Sequence, residues 1–424
     1  MNSSHPYKDA VQNMSIQSSD KVWNRNFFLL WQGQMMSGIG DYFYLIALGF
    51  WVLASTGSTA LMTTIMAASY IPQVVIAPFA GVIVDRLDRK WMIVAMDAVR
   101  GIVVLFISLA AFAGILKIWM VLTVGLCLGV SLSFFNPAVR SAIPDIIPKT
   151  KLIKANAAFS MVTASAKIIG DSLGGILYQF LGVPLLFLIN SISYLFSAFT
   201  EIFIKIPIIH REDKKTSFLN EMKEGFSFTW KLKGLRYLFL HALGMNFTRV
   251  IALILILALF QREEHLGAAM YGIAIGTSAA GAFAGFLFSS AIPFKSSVRF
   301  FLMCLLGSIF SITRIVFPFF LRMDIILPLM FISGVTISIS LNLFEAGIPL
   351  SVPPQMRGKV FSLLNAVTSG VWPFGMIVGG ILAEFFPIPV IISTASVVCL
   401  ASYVLLFFAA SSREIINYDP LKKD

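Results

Sequence analysis

Residues 42–84 read YFYLIALGFWVLASTGSTALMTTIMAASYIPQVVIAPFAGVIV, 43 consecutive positions without a charged side chain. One crossing of a bilayer's hydrocarbon core takes about 20 apolar residues in a helix. The stretch is therefore long enough to complete one helix, turn at Ser55-Thr56-Gly57-Ser58 and run back as a second. Residues 118–139, 172–200, 266–294, 325–344, 360–383 and 385–412 are charge-free in the same way. The whole chain follows suit: of 424 residues 58% are apolar and 12% charged, where soluble proteins are nearer half and a quarter. A cytosolic enzyme, a disordered scaffold and a secreted disulfide domain are excluded. Cys127, Cys304 and Cys399 stand far apart inside apolar runs, without CxxC spacing, and read as core filling.

Read with their breakers, the runs predict an all-α integral membrane protein of twelve transmembrane helices, at about 27–54, 59–84, 90–114, 118–141, 155–180, 184–205, 236–260, 267–290, 297–320, 324–347, 359–385 and 388–410. The basic residues test that count, because cytoplasmic loops hold the excess of Lys and Arg. With the N-terminus inside, only Lys117, Arg262 and Arg322 fall on outward loops, and Arg100, Lys167, Arg249 and Arg314 fall within spans; the rest of the 32 lie on inward segments. A miscounted helix would scramble this alternation, so both termini are expected in the cytoplasm. The same pattern accounts for the net charge of +11 as loops facing anionic lipid, with no nucleic-acid partner. Residues 1–26 are polar and read as a disordered cytoplasmic arm, with no cleavable signal, and residues 411–424 as a cytoplasmic tail.

The largest inward segment, 206–235, carries Leu219, Met222, Phe226 and Trp230 at helical spacing beside Lys223, Lys231 and Lys233, which predicts an amphipathic helix on the inner leaflet. It divides the chain into six-helix bundles at 27–205 and 236–410. The two halves match at an offset of 205: Val162-Thr163 recurs as Val367-Thr368, Gly170 as Gly375, Gly174-Gly175-Ile176-Leu177 as Gly379-Gly380-Ile381-Leu382, and Pro184 as Pro389. The shared glycines, on the fifth span of each half, suit helices that approach closely and slide. Parallel six-span repeats imply a cavity between pseudo-symmetric bundles and alternating access by rocking.

Between the second and third spans stands Gly81-Val82-Ile83-Val84-Asp85-Arg86-Leu87-Asp88-Arg89-Lys90. Here the chain resembles the major facilitator superfamily, whose loop signature is Gly-x-x-x-Asp-Arg-x-x-Arg-Lys. Gly81, Asp85, Arg86, Arg89 and Lys90 fill it, with Asp88 where a second glycine is common. The resemblance implies the major facilitator fold over essentially the whole chain, and a latch in which Asp85 engages the eleventh span with the following arginines as charge partners. A second copy of the signature is absent: Ala291-Ile292-Pro293-Phe294-Lys295 has no Asp-Arg. Ser37-x-x-Gly40-Asp41, Phe135-Asn136-Pro137-Ala138 with Ile143-Pro144-Asp145, Ala155-Asn156-Ala157, and Val352-Pro353 with Arg357-Gly358-Lys359-Val360 are similar to the bacterial drug:proton antiporter branch, which includes macrolide-efflux proteins and the enterobactin exporter. Two departures bear on the coupling ion and substrate: Asp171 stands where span five of antiporters often has proline, and no clear basic signature marks span four.

Charges inside the bilayer cost about 2.5–3.5 kcal/mol on insertion scales and each needs a reason. Asp41 lies near the middle of span one and Arg249 in the middle of span seven; both are candidate proton or substrate groups. Lys167 and Asp171, four apart on one face of span five, are either a permanent bridge or a pair broken and remade as a proton or substrate arrives. Asp97 and Arg100 read as a static ion pair bracing the signature loop, whereas Arg314 and Glu384 lie towards outer ends and are expected to snorkel. Arg140 and Glu345, equivalent under the offset, are candidates for an inner gate. Gly170, Gly174, Gly175, Gly375, Gly379 and Gly380 are the sliding contacts.

His5, His210, His241 and His265 form no cluster that would hold a metal, and neither a phosphate-binding Gly-x-x-x-x-Gly-Lys loop nor a Gly-x-Ser-x-Gly elbow is present. No cofactor and no enzymatic activity are expected, and an ion gradient is left as the energy source, worth about 2.3 kcal/mol per charge per 100 mV. Together with the resemblance, this implies a monomeric multi-pass exporter of the bacterial inner membrane. It would move amphipathic small molecules (drug, macrolide or siderophore-like) against protons, with membrane lipid around it. A lysophospholipid flippase, a proton-coupled uptake carrier and a non-transporting membrane sensor are the alternatives.

Overall fold

The structure, a computed structural model, describes residues 22–206, 218–292 and 294–418. The described residues form fourteen α-helices: α1 Arg25–Thr56, α2 Thr59–Ala68, α3 Ile71–Arg86, α4 Arg89–Phe112, α5 Ile118–Ile146, α6 Leu152–Glu201, α7 Phe218–Lys231, α8 Lys233–Arg262, α9 Gly267–Ala291, α10 Ser296–Val316, α11 Met323–Ser351, α12 Pro354–Phe385, α13 Ile388–Phe407 and α14 Ala410–Ile416. Eleven helical stretches are long and apolar enough to cross a membrane. One of them, the 50-residue α6, loses helical geometry at Gly182, whose φ is +69°. Pro184 lacks the N–H that would carry the helix across this point, and glycine takes the left-handed turn without a Cβ penalty. Each arm of α6 is a crossing in itself, so the twelve expected spans are present. The second expected span is interrupted at Ser69-Tyr70, between α2 and α3, because Pro72 cannot continue the hydrogen-bond ladder.

The chain separates into two compact units. One comprises Met1–Tyr44, Val75–Gly170 and Pro184–Asp213; the other comprises Leu45–Val74, Asp171–Val183 and Lys214–Asp424. In the first, Phe27 and Leu30 of α1, Val84 of α3, Ile93 of α4 and Phe135, Ala138, Val139 and Ala142 of α5 make a common buried core. α4 shows how the sequence selects its faces. Ile93, Asp97, Arg100, Gly101, Val104 and Ser108 recur every three or four positions and point inward, while Ile102, Phe106 and Leu109 lie on the exposed side that meets lipid. Hydroxyls hold α4 to the second arm of α6: Ser191 donates to the Gly101 carbonyl at 2.8 Å and Ser108 to the Pro184 carbonyl at 2.9 Å.

In the second unit α8 is buried nearly all round, and Leu235, Leu238 and Ala242 join Phe300 and Met303 of α10 and Ile339 and Leu343 of α11. α7 packs through Gly225 against the Lys359 backbone of α12, and Glu224 pairs with the Lys359 ammonium. Its Phe226 and Trp230 rings, 5.0 Å apart, remain exposed as the predicted apolar stripe, while the Leu219 side chain lies outside the described residues. The segment after the last span is a docked helix: Ser412 donates to the Gly234 carbonyl at 3.1 Å, Asn417 accepts from the Phe300 N–H at 2.9 Å, and Ile416 is fully buried. Most of the 1–26 arm precedes the described residues.

Candidate functional site

Within the first unit, one face of α1 carries Gly33, Ser37, Gly40, Asp41 and Tyr44, spaced to lie against the second arm of α6. A Cβ at Gly40 would stand 2.5 Å from Asn190 Oδ1 and Ser193 Oγ, and one at Gly33 would meet Ser197 Oγ at the same distance. The glycines thus let two helix backbones close on a polar seam, which is the physical content of the Ser37-x-x-Gly40-Asp41 motif. Beside the seam the Tyr194 hydroxyl donates to the Asp41 carboxylate. Tyr44 closes one end of it on Phe187, ring centroids 5.2 Å apart.

Arg100 of α4 organises the rest. Its side chain is 1% exposed and pairs with Asp97 one helical turn back, as expected of that spacing. The guanidinium lies 3.9 Å from the Phe135 ring centre and 4.5 Å from that of Tyr194, positions in which a cation is attracted by the ring quadrupole. Through Tyr194 it is one residue removed from Asp41. Glu201, at the end of α6 and 1% exposed, borders Ser197 and Gln34. Neither Glu201 nor Tyr194 stood out in the sequence: the first closes a span and reads as a flank, and the second is one aromatic among many.

Lys167, in the first unit, has its ammonium 5.0 Å from the Tyr42 ring centre, and Asp171 belongs to the second unit. Arg140 and Glu345 are exposed, one in each unit. Arg249 of α8 lines a small cavity of the second unit together with Arg314 of α10. Arg314 does not snorkel: it turns into the bundle, 9% exposed, with Nε 3.3 Å from Ser333 Oγ, because an inward hydroxyl and the Phe310 ring are nearer than any polar surface. Gly170 packs on Tyr42, Gly375 on Val250 and Gly379 on Ile251, Gly175 faces the backbone of Ala268 and Gly272 in α9, Gly380 faces Ala60 and Thr63 in α2, and Gly174 is buried.

In the signature loop Asp88 caps α4, accepting from the Lys90 and Trp91 N–H groups at 2.9 and 3.3 Å. The acid that replaces the family's glycine thus has a use at a helix N-terminus. Arg89 is buried and pairs with Asp145 of α5, joining the signature to the Ile143-Pro144-Asp145 motif. Arg86 is exposed, the Lys90 ammonium lies 5.2 Å from the Trp91 ring, and Gly81 is half-buried near the end of α3. The Asp85 side chain, and with it the expected latch, lies outside the described residues.

At one end of the second unit the turn at Gly57, with φ +69°, is held by α8 and α12. Glu384, expected to snorkel, is exposed and accepts from Ser58 Oγ at 2.9 Å and from the Ala60 N–H at 2.8 Å. Arg262 donates to Thr59 Oγ1 at 2.8 Å and to the Gly57 carbonyl at 3.2 Å, and Gln261 to the Phe50 carbonyl at 2.8 Å. The start of α2, with its free N–H groups, is a natural seat for a carboxylate. Sequence reading had no means of joining residues more than 300 positions apart.

Comparisons with known proteins agree with this architecture. The family model described as transmembrane secretion effector (MFS_3) matches residues 21–422. An uncharacterized MFS-type transporter, YvqJ of Bacillus subtilis, is 26% identical over 412 residues, 93% of this chain and 95% of the relative. Macrolide efflux protein A of Streptococcus pyogenes is 23% identical over 399 residues, 89% of this chain and 95% of that one. Among solved structures, a bacterial homologue of the human lysosomal transporter Spinster, inward-facing and unoccupied, superimposes with a TM-score of 0.66 over 99% of this chain and 100% of its own, at 15% identity. The chain is a multi-pass membrane transporter and belongs to the transmembrane secretion effector family of the major facilitator superfamily.

Proposed function

We propose that the protein exports amphipathic small molecules by proton antiport, and that the proton is taken up and released at Asp41. The observation that carries this reading is the chain Asp41–Tyr194–Arg100–Asp97, in which the Tyr194 hydroxyl donates to Asp41, its ring lies against the Arg100 guanidinium and Asp97 pairs with that guanidinium. Asp97 already holds that guanidinium by a direct ion pair. Among the described residues Asp41 has a tyrosine hydroxyl and no cation in direct contact. An unpaired carboxylate in an apolar bundle is costly, so a proton or a cationic substrate is its natural counter-charge, and exchange of one for the other is antiport. Tyr194 connects the two states, since its hydroxyl donates to the ionised carboxylate and its ring carries the arginine.

The export direction is supported by the likeness to macrolide efflux protein A, and cytoplasmic termini by the placement of Lys and Arg. On that topology the Glu384–Ser58 clamp faces outward and seals the external side, and the glycine contacts at Gly175 and Gly380 are the surfaces that slide when it opens. The bundles at 27–205 and 236–410 would rock, the latch at Asp85 and the Arg140 and Glu345 charges controlling the cytoplasmic side. Lys167 and Asp171 would line the path of the substrate.

The test is proton release from purified protein on addition of a macrolide or a lipophilic cation, in wild type and Asp41→Asn. Release in the wild type that disappears in D41N, with substrate binding retained, supports the assignment. Equal release from both would move coupling away from Asp41. Lipid movement without a gradient, and no response to either compound, would favour the flippase alternative.

A further inference from the structure

The second unit has a polar core of the opposite kind. Arg249 of α8 and Arg314 of α10 line one cavity with Thr248, Ser311, Ser396 and Cys399. Arginine does not give up its charge in proteins, so two cations face the same space. Among the described residues no carboxylate lines it. Arg249 Nε is buried and has no hydrogen-bond partner among the described residues. Arg314 has one hydroxyl, that of Ser333, and the Phe310 ring 5.5 Å away.

The neighbouring hydroxyls are already engaged with their own helices. Thr248 is turned back to the Gly244 carbonyl at 2.9 Å, Ser311 to that of Gly307 at 2.9 Å and Ser396 to that of Ile392 at 2.7 Å. The guanidinium N–H groups are left as the donors. Arg314 is buried and Arg249 half-buried; two like charges that share a poorly solvated cavity repel, and a charge held there without a counter-ion destabilises the bundle. A neutralising anion removes both penalties. The cavity offers about 10 Å³ to the centre of a water-sized body, space for about one water or one ion of similar size. That is too small for phosphate or sulfate and suits a halide or a single carboxylate oxygen.

We propose that Arg249 and Arg314 form a binding site for a compact monovalent anion, chloride or one carboxylate group, in the core of the second unit. The site is distinct from the proton-coupling cluster and does not depend on it.

The test uses the purified full chain. Its thermal unfolding is followed in sodium chloride, acetate and gluconate at equal ionic strength, alongside saturable binding of radiolabelled chloride. The expected result is a saturable rise in Tm of roughly 2 °C or more over gluconate, which is too bulky to enter, lost in Arg249→Gln and Arg314→Gln. Protection by chloride with about one ion bound per chain identifies a halide site; protection by acetate alone identifies a seat for a carboxylate ligand. Identical unfolding in all three salts with no saturable chloride binding would overturn the proposal, as would an anion effect that survives R249Q. Should the arginine variants fail to fold, Cys399→Ser decides. Wild type and C399S binding chloride alike supports the site, whereas binding that appears only on removing Cys399 would show that a thiolate supplies the counter-charge.

Discussion

Loss of the Glu384 carboxylate is predicted to open the clamp over the Gly57 turn. Glu384 accepts one hydroxyl and one backbone hydrogen bond at the first turn of α2. The side chain is exposed, so solvent screens it and the smaller end of each range applies. In Glu384→Gln the amide oxygen can still accept from Ala60, and only the charge–dipole part is lost, about 0.3–1 kcal/mol. This raises the open population by a factor of roughly 2–5. In Glu384→Ala both hydrogen bonds go, about 1–2 kcal/mol together, or a factor of roughly 5–30. A reporter lies directly beneath: Thr63 is fully buried and faces Gly380 of α12. With Cys127, Cys304 and Cys399 replaced, a cysteine introduced by Thr63→Cys should react with a membrane-impermeant maleimide at a rate that follows the open population. Rates ordered wild type, E384Q, E384A over that range are expected. The same rate in all three would refute the clamp.

Three further outcomes follow from the packing. Asp88→Ala should lower thermal stability by about 1 kcal/mol through loss of the α4 cap, while Asp88→Gly, which restores the family's residue, should lose only a few tenths; Tm in detergent separates them. Asp145→Asn should weaken the buried pair with Arg89 that joins α4 to α5, visible as a lowered Tm in detergent, and a second change Arg89→Gln should recover part of the loss. Gly175→Ala would drive a methyl into the backbone of Ala268 and Gly272, and should abolish transport in vesicles while the protein still inserts.

The positions of the crossings were legible because lipid imposes its own arithmetic: charge-free runs of bilayer length and basic residues confined to alternate loops leave few other solutions. The break at Gly182 was readable from Gly182 and Pro184, and the pairing of Asp97 with Arg100 from their spacing. The functional clusters were less so, since they are made by helices distant in sequence. That Tyr194 of α6 reaches Asp41 of α1 depends on Gly33 and Gly40 permitting contact, and nothing in either helix names its neighbour. Arg314 misled for a related reason. Its place near a span end suggested a path to solvent, but α11 presents Ser333 and its own helix presents Phe310. Glu384 stays exposed, as its place near a span end suggested, but also caps the start of α2.

The central claim is that Asp41 exchanges a proton for substrate. It is tested most directly in everted vesicles carrying a pH gradient, by adding a macrolide or a lipophilic cation to wild type, Asp41→Asn and Arg100→Lys. The account predicts substrate-dependent collapse of the gradient in the wild type and none in D41N, which should still exchange substrate downhill. In R100K the weaker, non-planar cation on Phe135 and Tyr194 should shift the pH at which collapse is half-maximal. Collapse of the gradient in D41N at the wild-type rate and pH dependence would contradict it.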